Sequence, residues 1–555
     1  MPDLNAHHLS RFRLFFIEHA KLVLVVLLAV AWLLPGLVGH DPWKPDEAYS
    51  FGLIYHIYQT GDWVVPTLAG EPFMEKPPLY YIAAAQVAKL FSPLLPLHDA
   101  ARLTSGFFIA LTLALNGLAA RELLGKGKGR IAVLVLLGCV GLLVRGHEMI
   151  TDTALLAGFA LAFYGLALSL RRPLLAGLLL GTGVGVGFLA KGLIAPGVVG
   201  VTALLLPLFR PWRCRNYLLA LGVALLAALP WLLVWPYALY QRSPELFHQW
   251  FWVNNLGRYL GFAKLGPTPD RGYYLETLPW FAWPAWPIAL WALWRGRLKG
   301  VLSQPATQLP LVACLVILAV LLSASDAREV YALPILLPLS LLAAAGVDML
   351  RRGAAAALDW FGLMTFGLFS GFLWLGWVAM MTGWPAKLAE RAHYLQPAYV
   401  PEFKPLAFGV ALIYTALWGI LVTRLGRNTR RAIVNWTAGL TLMWSLLTTL
   451  WLPWIDTGKT YRAMIADLQQ SLPPRYDCIT SQALGEPQRA LLLYYAGILT
   501  QRRESQGREC SLLLIQGGAD NPPRLGREWA QIWEGARPGD RSERFWLFQR
   551  HVSRH

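Results

Sequence analysis

The sequence predicts an α-helical polytopic membrane protein with about thirteen spans, interfacial helices in its first outer loop and a small α/β domain at its C-terminal end. Three observations lead there. Of the 555 residues 56% are apolar and only 15% charged, where soluble domains run at about 45–50% and about 25%. Apolar runs of spanning length, about 17–25 residues, recur along most of the chain. Basic residues crowd alternate loops between those runs. The same composition excludes a disordered chain. A net charge of +17 would suit a nucleic-acid partner, but most of the chain offers no polar surface for a basic groove.

The thirteen runs are approximately 20–38, 100–120, 129–145, 149–169, 173–190, 193–208, 216–236, 279–295, 308–323, 329–348, 359–381, 405–424 and 432–453. The first follows a polar start rather than a compact basic n-region. Leu33, Pro35 and Gly36 near its end form no small-residue cleavage site, so it reads as a retained span.

One set of alternate loops holds Arg121, Lys126, Lys128 and Arg130; Arg171 and Arg172; Arg210, Arg213 and Arg215; Arg295, Arg297 and Lys299; Arg351 and Arg352; and Arg424, Arg427, Arg430 and Arg431, eighteen basic residues in all. The short loops of the other set hold six: Arg145, Lys191, Arg328, Lys387, Arg391 and Lys404. Positive charge stays on the cytoplasmic side. With Arg11, Arg13 and Lys21 ahead of the first span, the N-terminus is expected in the cytoplasm and the C-terminus outside.

Three outer segments are long. In 39–99, the stretches 47–59 and 79–91 mix apolar and polar residues in the manner of short helices at the membrane interface. The second is the Trp- and Tyr-rich stretch 237–278. The third, 456–555, follows a membrane domain of residues 1–455 and has ordinary charge density. Its order is helix (Tyr461 to Ser471), strand (Tyr476 to Thr480), helix (Gln488 to Leu499), strand (Cys510 to Gln516), then strands at Trp529 to Trp533 and Phe545 to Gln549. That alternation predicts a small α/β domain. Cys478 and Cys510 are its only cysteines, each at a predicted strand in an oxidising compartment, and are expected to pair. Cys139, Cys214 and Cys314 lie in or beside spans as apolar filler.

Ionisable residues near hydrocarbon are costly and by default functional. Asp46, Glu47, Glu75, Lys76, Asp152, Lys191, Arg258, Asp326, Arg328 and Glu329 all fall at outer span ends or in outer loops. Such a mixed cluster suits an anionic substrate held by Lys and Arg, with a carboxylate placed to act on it. Bland readings stand beside this one. Asp46 and Glu47 after Pro45 can be helix N-terminal charge, Glu75 and Lys76 a surface pair, and Asp152 a cap. Lys191 and Arg258 can snorkel. The glycines of 177–187 sit in an apolar run, where small residues serve close helix packing.

The first outer loop reads Lys44-Pro45-Asp46-Glu47-Ala48-Tyr49, then Gly61-Asp62-Trp63 with Pro66, then Glu75-Lys76-Pro77-Pro78-Leu79-Tyr80. This order resembles the GT-C glycosyltransferases of the lipid A aminoarabinose transferase and protein O-mannosyltransferase superfamily. Phe188-Leu189-Ala190-Lys191-Gly192, Asn254-Asn255-Leu256-Gly257-Arg258-Tyr259 and Tyr331-Ala332-Leu333-Pro334 extend the resemblance over roughly 40–350.

The resemblance implies a GT-C fold and transfer of a sugar, aminoarabinose-like in one branch, from a polyprenyl-phosphate donor to a periplasm-facing acceptor. It places the enzyme in the bacterial inner membrane as a monomer among membrane lipids, with no nucleic-acid partner. The acceptor is lipid A or another envelope glycolipid, or in the rival branch a protein hydroxyl. A transporter is the remaining class, but no internal repeat supports it. Asp46 matches the essential first-loop acid and Asp152 a second acid; Lys76, Arg258, Tyr331 and Lys191 match donor-phosphate contacts. Glu47, Tyr49, Glu75 and Arg328 stand as supporting residues. No cofactor is required, and a divalent cation would have Glu75 as its candidate ligand. The aminoarabinose branch can carry a His five residues before the Arg, where this chain has Val253, which weakens that metal site.

Overall fold

The computed structural model of the chain describes residues 19–262, 272–296, 303–426, 428–505 and 510–551. Arg11, Arg13, Arg297, Lys299 and Arg427 lie outside the described residues.

All thirteen apolar runs fall on helices. Among the described residues nine helices are long and apolar enough to cross a bilayer: Leu97–Leu124, Thr151–Leu168, Pro173–Lys191, Arg215–Arg242, Pro305–Ser323, Glu329–Met349, Arg352–Thr382, Pro405–Arg424 and Arg431–Gln470. The other four runs give His19–Leu33, Ile194–Leu208 and two broken helices. These last are Lys128–Leu137 followed by Val140–Arg145, and Tyr273–Phe281 followed by Ala285–Arg295. A broken helix frees backbone groups that hydrocarbon cannot satisfy, and here the two breaks serve each other. The Val140 N–H donates to the Trp283 carbonyl at 3.2 Å, and the Trp436 indole donates to the Gly138 carbonyl at 2.9 Å.

Thr151–Leu168 and Glu329–Met349 are the most buried of the long helices, while Pro405–Arg424 lies almost wholly at the periphery. Thr151–Leu168 and Pro173–Lys191 form an antiparallel pair whose backbones nearly touch. A Cβ on Gly158 would stand 2.8 Å from the Gly183 carbonyl oxygen, and one on Gly183 2.7 Å from that of Gly158. Small residues permit this approach. It brings the start of one helix, with Asp152, against the end of the other, with Lys191.

At the opposite helix ends, Lys128 and Arg430 both bond Asp348, at 3.0 and 2.7 Å. They come from two different basic loops, as the charge alternation requires of loops on one side.

The first outer loop holds the helices Asp46–Thr60 and Leu79–Phe91, joined through a two-stranded hairpin of β1 (Thr67–Leu68) and β2 (Glu71–Pro72). Asp46–Thr60 is covered by protein on more than one side. Ala48, Phe51, Leu53 and Ile54 are completely buried, because the helix lies between the spans and the C-terminal domain. A Cβ on Gly52 would stand 2.6 Å from the Ala490 Cβ.

The C-terminal domain is a five-stranded mixed sheet ordered β4-β3-β5-β7-β6. Its strands are β3 (Ile479–Gln482), β4 (Thr500–Arg502), β5 (Leu512–Gly518), β6 (Trp529–Gly535) and β7 (Glu543–Arg550). β3 pairs in parallel with β4 and β5, and β7 is antiparallel to β5 and β6. Helices Arg462–Gln470 and Glu486–Ala496 complete it. The short strand β4 was not expected; Thr-Gln-Arg carries no apolar alternation. A disulfide joins Cys478 to Cys510, Cα atoms 5.1 Å apart, at the entries to β3 and β5. The cysteines Cys139, Cys214 and Cys314 are free.

Candidate active site at the outer helix ends

Asp46 opens the first-loop helix and Tyr49 follows one turn later on the same face. The Tyr49 hydroxyl lies close enough to the Asp46 carboxylate to feel its charge and accepts a hydrogen bond from the Lys76 ammonium at 2.5 Å. Burial, reinforced by the carboxylates of Asp46, Glu75 and Asp152, holds the Tyr49 hydroxyl well above its usual range. It therefore stays neutral, able to donate to one partner and accept from the other. Burial alone would lower Lys76, but Tyr81 and the carboxylates of Asp152, Glu75 and Asp46 outweigh it and raise the ammonium above its ordinary value. Among the described residues no carboxylate forms an ion pair with Lys76.

Glu47, expected among the supporting residues, does not face the Asp46 site. One step along a helix rotates a side chain by about 100°, and Glu47 points away from Asp46 into a buried charge cluster. It accepts from the Arg102 Nε at 2.9 Å and the Met149 N–H at 3.0 Å. Arg102 also bonds Asp99 at 2.6 Å. Burial works against the Glu47 charge, but Arg102 and His40 prevail and hold the carboxyl below its ordinary value. Glu47 is thus a structural anchor beneath the site.

The other half of the site comes from four further segments. Lys191 bonds Asp152 and its ammonium lies 4.4 Å from the centre of the Tyr331 ring. The Tyr331 hydroxyl donates to Asp326 at 3.1 Å and accepts from Arg258 at 3.2 Å. Arg258 itself bonds Asp326 at 2.9 Å and reaches Glu75 at 3.5 Å. Glu75 adjoins Lys76 in sequence, so the circuit closes on the first loop. Arg328 is the outlier: it touches Asp326 only at 3.9 Å and its side chain is 41% exposed.

The remaining motif residues explain the local backbone. Gly192 has φ of 74°, and a Cβ there would stand 1.8 Å from the Asn255 Oδ1. That oxygen accepts the Leu193 N–H at 3.3 Å. Asn254 donates to the Met74 carbonyl at 2.8 Å, tying the π-helix Gln249–Gly257 to the loop that bears Glu75 and Lys76. The glycine after Lys191 and the paired asparagines before Arg258 thus fix how the cationic segments meet.

Glu75 faces a cation, Arg258, which disfavours a metal ion at that carboxylate. Among the described residues no group of three or more His, Cys, Asp or Glu is placed to hold a metal, and Glu75 stands in an ion pair with Arg258. Two charged residues beside the site were not among the candidates, Arg145 and Glu148. Arg145 bonds both Glu148 and Glu329. The signal was present in the sequence as an Arg and a Glu three apart, at the outer side of two successive apolar runs.

The profile of the family described as "Dolichyl-phosphate-mannose-protein mannosyltransferase" matches residues 75–235. The chain is 30% identical over 450 residues to the undecaprenyl phosphate-alpha-4-amino-4-deoxy-L-arabinose arabinosyl transferase of Pseudomonas aeruginosa (strain UCBPP-PA14), covering 77% of this chain and 74% of that one. It is 29% identical over 339 residues to the protein of the same name in Serratia proteamaculans (strain 568), a match spanning 58% of each. The crystal structure of ArnT from Cupriavidus metallidurans bound to undecaprenyl phosphate superposes with a TM-score of 0.69 at 18% identity, covering 95% of this chain and 97% of that one. That last similarity is one of fold.

Proposed function

The chain belongs to the undecaprenyl phosphate-α-4-amino-4-deoxy-L-arabinose arabinosyl transferase family, and from that premise we propose that it transfers an aminoarabinose-like sugar from undecaprenyl phosphate to lipid A. It is a multi-pass membrane glycosyltransferase that uses a polyprenyl-phosphate-linked sugar. The reaction face is periplasmic, the N-terminus cytoplasmic and the membrane the bacterial inner membrane. The eighteen-to-six division of basic residues supports that orientation. Residues 1–455 carry the chemistry, and 456–555 form the periplasmic domain over it.

One observation carries the reading: Lys76 is a charged ammonium bonded to a neutral hydroxyl, in a site where Lys191 and Arg258 are each bonded to a carboxylate. A cation without a carboxylate partner inside a buried site is ready for an anion. The donor phosphate takes that place, within reach of Lys76, Arg258, Tyr331 and Lys191. As the bond from the anomeric carbon to the phosphate oxygen breaks, its electron pair goes to the phosphate. Lys76 and Arg258 stabilise the charge that develops there.

A lipid A phosphate is already ionised, so its oxygen attacks the anomeric carbon without a base. Asp46 then orients the acceptor or pairs with the cationic amino group of the sugar. The profile match over residues 75–235 favours a second reading, in which the acceptor is a protein hydroxyl and Asp46 removes its proton as general base. Mass spectrometry of lipid A and of envelope proteins, from cells with and without the gene, separates the two. The expected result is an amino-sugar addition on lipid A that disappears with the gene and with Asp46→Asn. Unchanged lipid A together with altered envelope glycoproteins overturns the first reading in favour of the second.

A further inference from the structure

We propose that Arg145 is a positioning residue for the donor-phosphate site, clamping the helix that carries Tyr331 to the turn that leads into the Asp152 helix. The inference rests on the reading of Tyr331, Arg258 and Lys191 as contacts of the donor phosphate.

Arg145 ends the short helix Val140–Arg145. Its Nε donates to the Glu329 Oε1 at 3.0 Å, Nη2 donates to the same oxygen, and Nη1 donates to the Glu148 Oε2 at 2.8 Å. One guanidinium thus holds two carboxylates from distant parts of the chain. Its side chain and that of Glu148 are each only 23% exposed, so solvent screening of these pairs is limited.

Glu329 opens the 3₁₀ helix Glu329–Ile335, and Tyr331 stands two residues on. A 3₁₀ turn has poorer hydrogen-bond geometry than an α-helix and is held by what surrounds it. Val330, Ala332 and Leu333 bury its apolar side, and the Glu329 bonds fix its first residue. On the other side of the clamp, Glu148 lies four residues before Asp152. Its carbonyl accepts from the Ser105 hydroxyl at 2.6 Å, and Ser105 is bonded to the Tyr80 hydroxyl at 2.7 Å.

Tyr331 needs such placement because it is the hub between two cations, its ring against Lys191 and its hydroxyl on Arg258. The distance between the Asp152–Lys191 pair and the Tyr331–Arg258 pair is set by how the 3₁₀ helix sits against the 145–150 turn. Removing Arg145 takes away the one group bonded to both Glu148 and Glu329, and with it the tie between the turn and the 3₁₀ helix. Removing only the Glu329 charge loosens the clamp while leaving the Arg145–Glu148 pair in place.

The test titrates undecaprenyl phosphate onto the purified full-length protein in detergent, with the melting temperature of each variant measured alongside. Wild type, Arg145→Gln, Arg145→Lys and Glu329→Gln are compared. The expected result is binding weakened about tenfold or more in Arg145→Gln, by less in Glu329→Gln, and partly rescued in Arg145→Lys, which keeps the charge and loses the fork. If Arg145→Gln fails to fold, Glu329→Gln decides the matter, since its carboxylate is one-third exposed and its loss leaves no charge stranded. A folded Glu329→Gln that binds undecaprenyl phosphate as wild type does, with only its melting temperature moved, overturns the clamp as a positioning device. A wild-type protein that does not bind undecaprenyl phosphate overturns the donor reading itself, which keeps the two failures apart.

Discussion

The Lys76 ammonium donates to the Tyr49 hydroxyl at 2.5 Å, and among the described residues no carboxylate shares it in an ion pair. Replacing Lys76 by Ala should therefore raise KM for the lipid-linked donor, with a smaller change in kcat. Charge-assisted hydrogen bonds contribute about 1.5–3 kcal/mol, so the expected rise is about tenfold to a hundredfold. Steady-state kinetics with the donor varied at fixed acceptor checks this; an unchanged KM removes Lys76 from the phosphate site.

Asp46 and Glu47 are neighbours in sequence with opposite expected phenotypes. Asp46→Asn should keep the wild-type melting temperature and lower kcat by roughly a hundredfold or more, the range for loss of a positioned acid–base or electrostatic group. Glu47→Gln should instead unsettle the fold. Glu47 and Arg102 are 4% and 0% exposed, and breaking a buried pair by removing one partner costs about 3–5 kcal/mol. Melting curves and activity of the two variants, measured in parallel, distinguish the roles.

Glu148 predicts a pH effect on stability. Burial pushes its carboxyl from an ordinary 4.5 up to about 7, with Glu47 and Asp46 reinforcing the rise against the pull of Arg145. Between those two values the folded protein holds a proton that the unfolded chain has released. Stability accordingly falls as pH rises through this window and levels off above it. Glu148→Gln should flatten that portion of the curve, read as melting temperature in detergent from about pH 4.5 to about pH 8.

The disulfide between Cys478 and Cys510 closes a sequence separation of 32 residues. In the chain-entropy account such a closure stabilises by about 3–4 kcal/mol. Cys478→Ser with Cys510→Ser should leave the spans intact and make the outer domain more susceptible to limited proteolysis. Thiol labelling of the native, unreduced protein should find neither cysteine reactive.

The span pattern was readable because hydrocarbon thickness imposes length and side-chain chemistry together, and every apolar run became a helix. The breaks at Gly138 and Pro284 were not readable. Pro284 marks its break locally, having no N–H to donate, but apolar residues run on through both breaks, and the backbone and indole partners that make them tolerable lie far away in sequence. In the site, Asp46, Lys76 and Arg258 stood out because charged groups punctuate apolar sequence there, whereas Tyr331 came only from the family resemblance. The separate surroundings of Asp46 and Glu47 were not legible because adjacent charges look alike in a sequence, and only the helical turn sends one to Tyr49 and the other to Arg102. Arg145 looked like one more outer-loop cation, since its two partners are Glu148, a short step away, and Glu329 on a distant segment.

The contact of Gly52 with Ala490 has a consequence for how this enzyme can be altered by recombination. The first-loop helix and the helix Glu486–Ala496 touch so closely that no side chain fits between them at that point. A chimera that takes only the C-terminal domain from a relative would bring a mismatched surface onto the helix bearing Asp46. The two segments, from opposite ends of the chain, have to be exchanged together, so they form a single unit of inheritance.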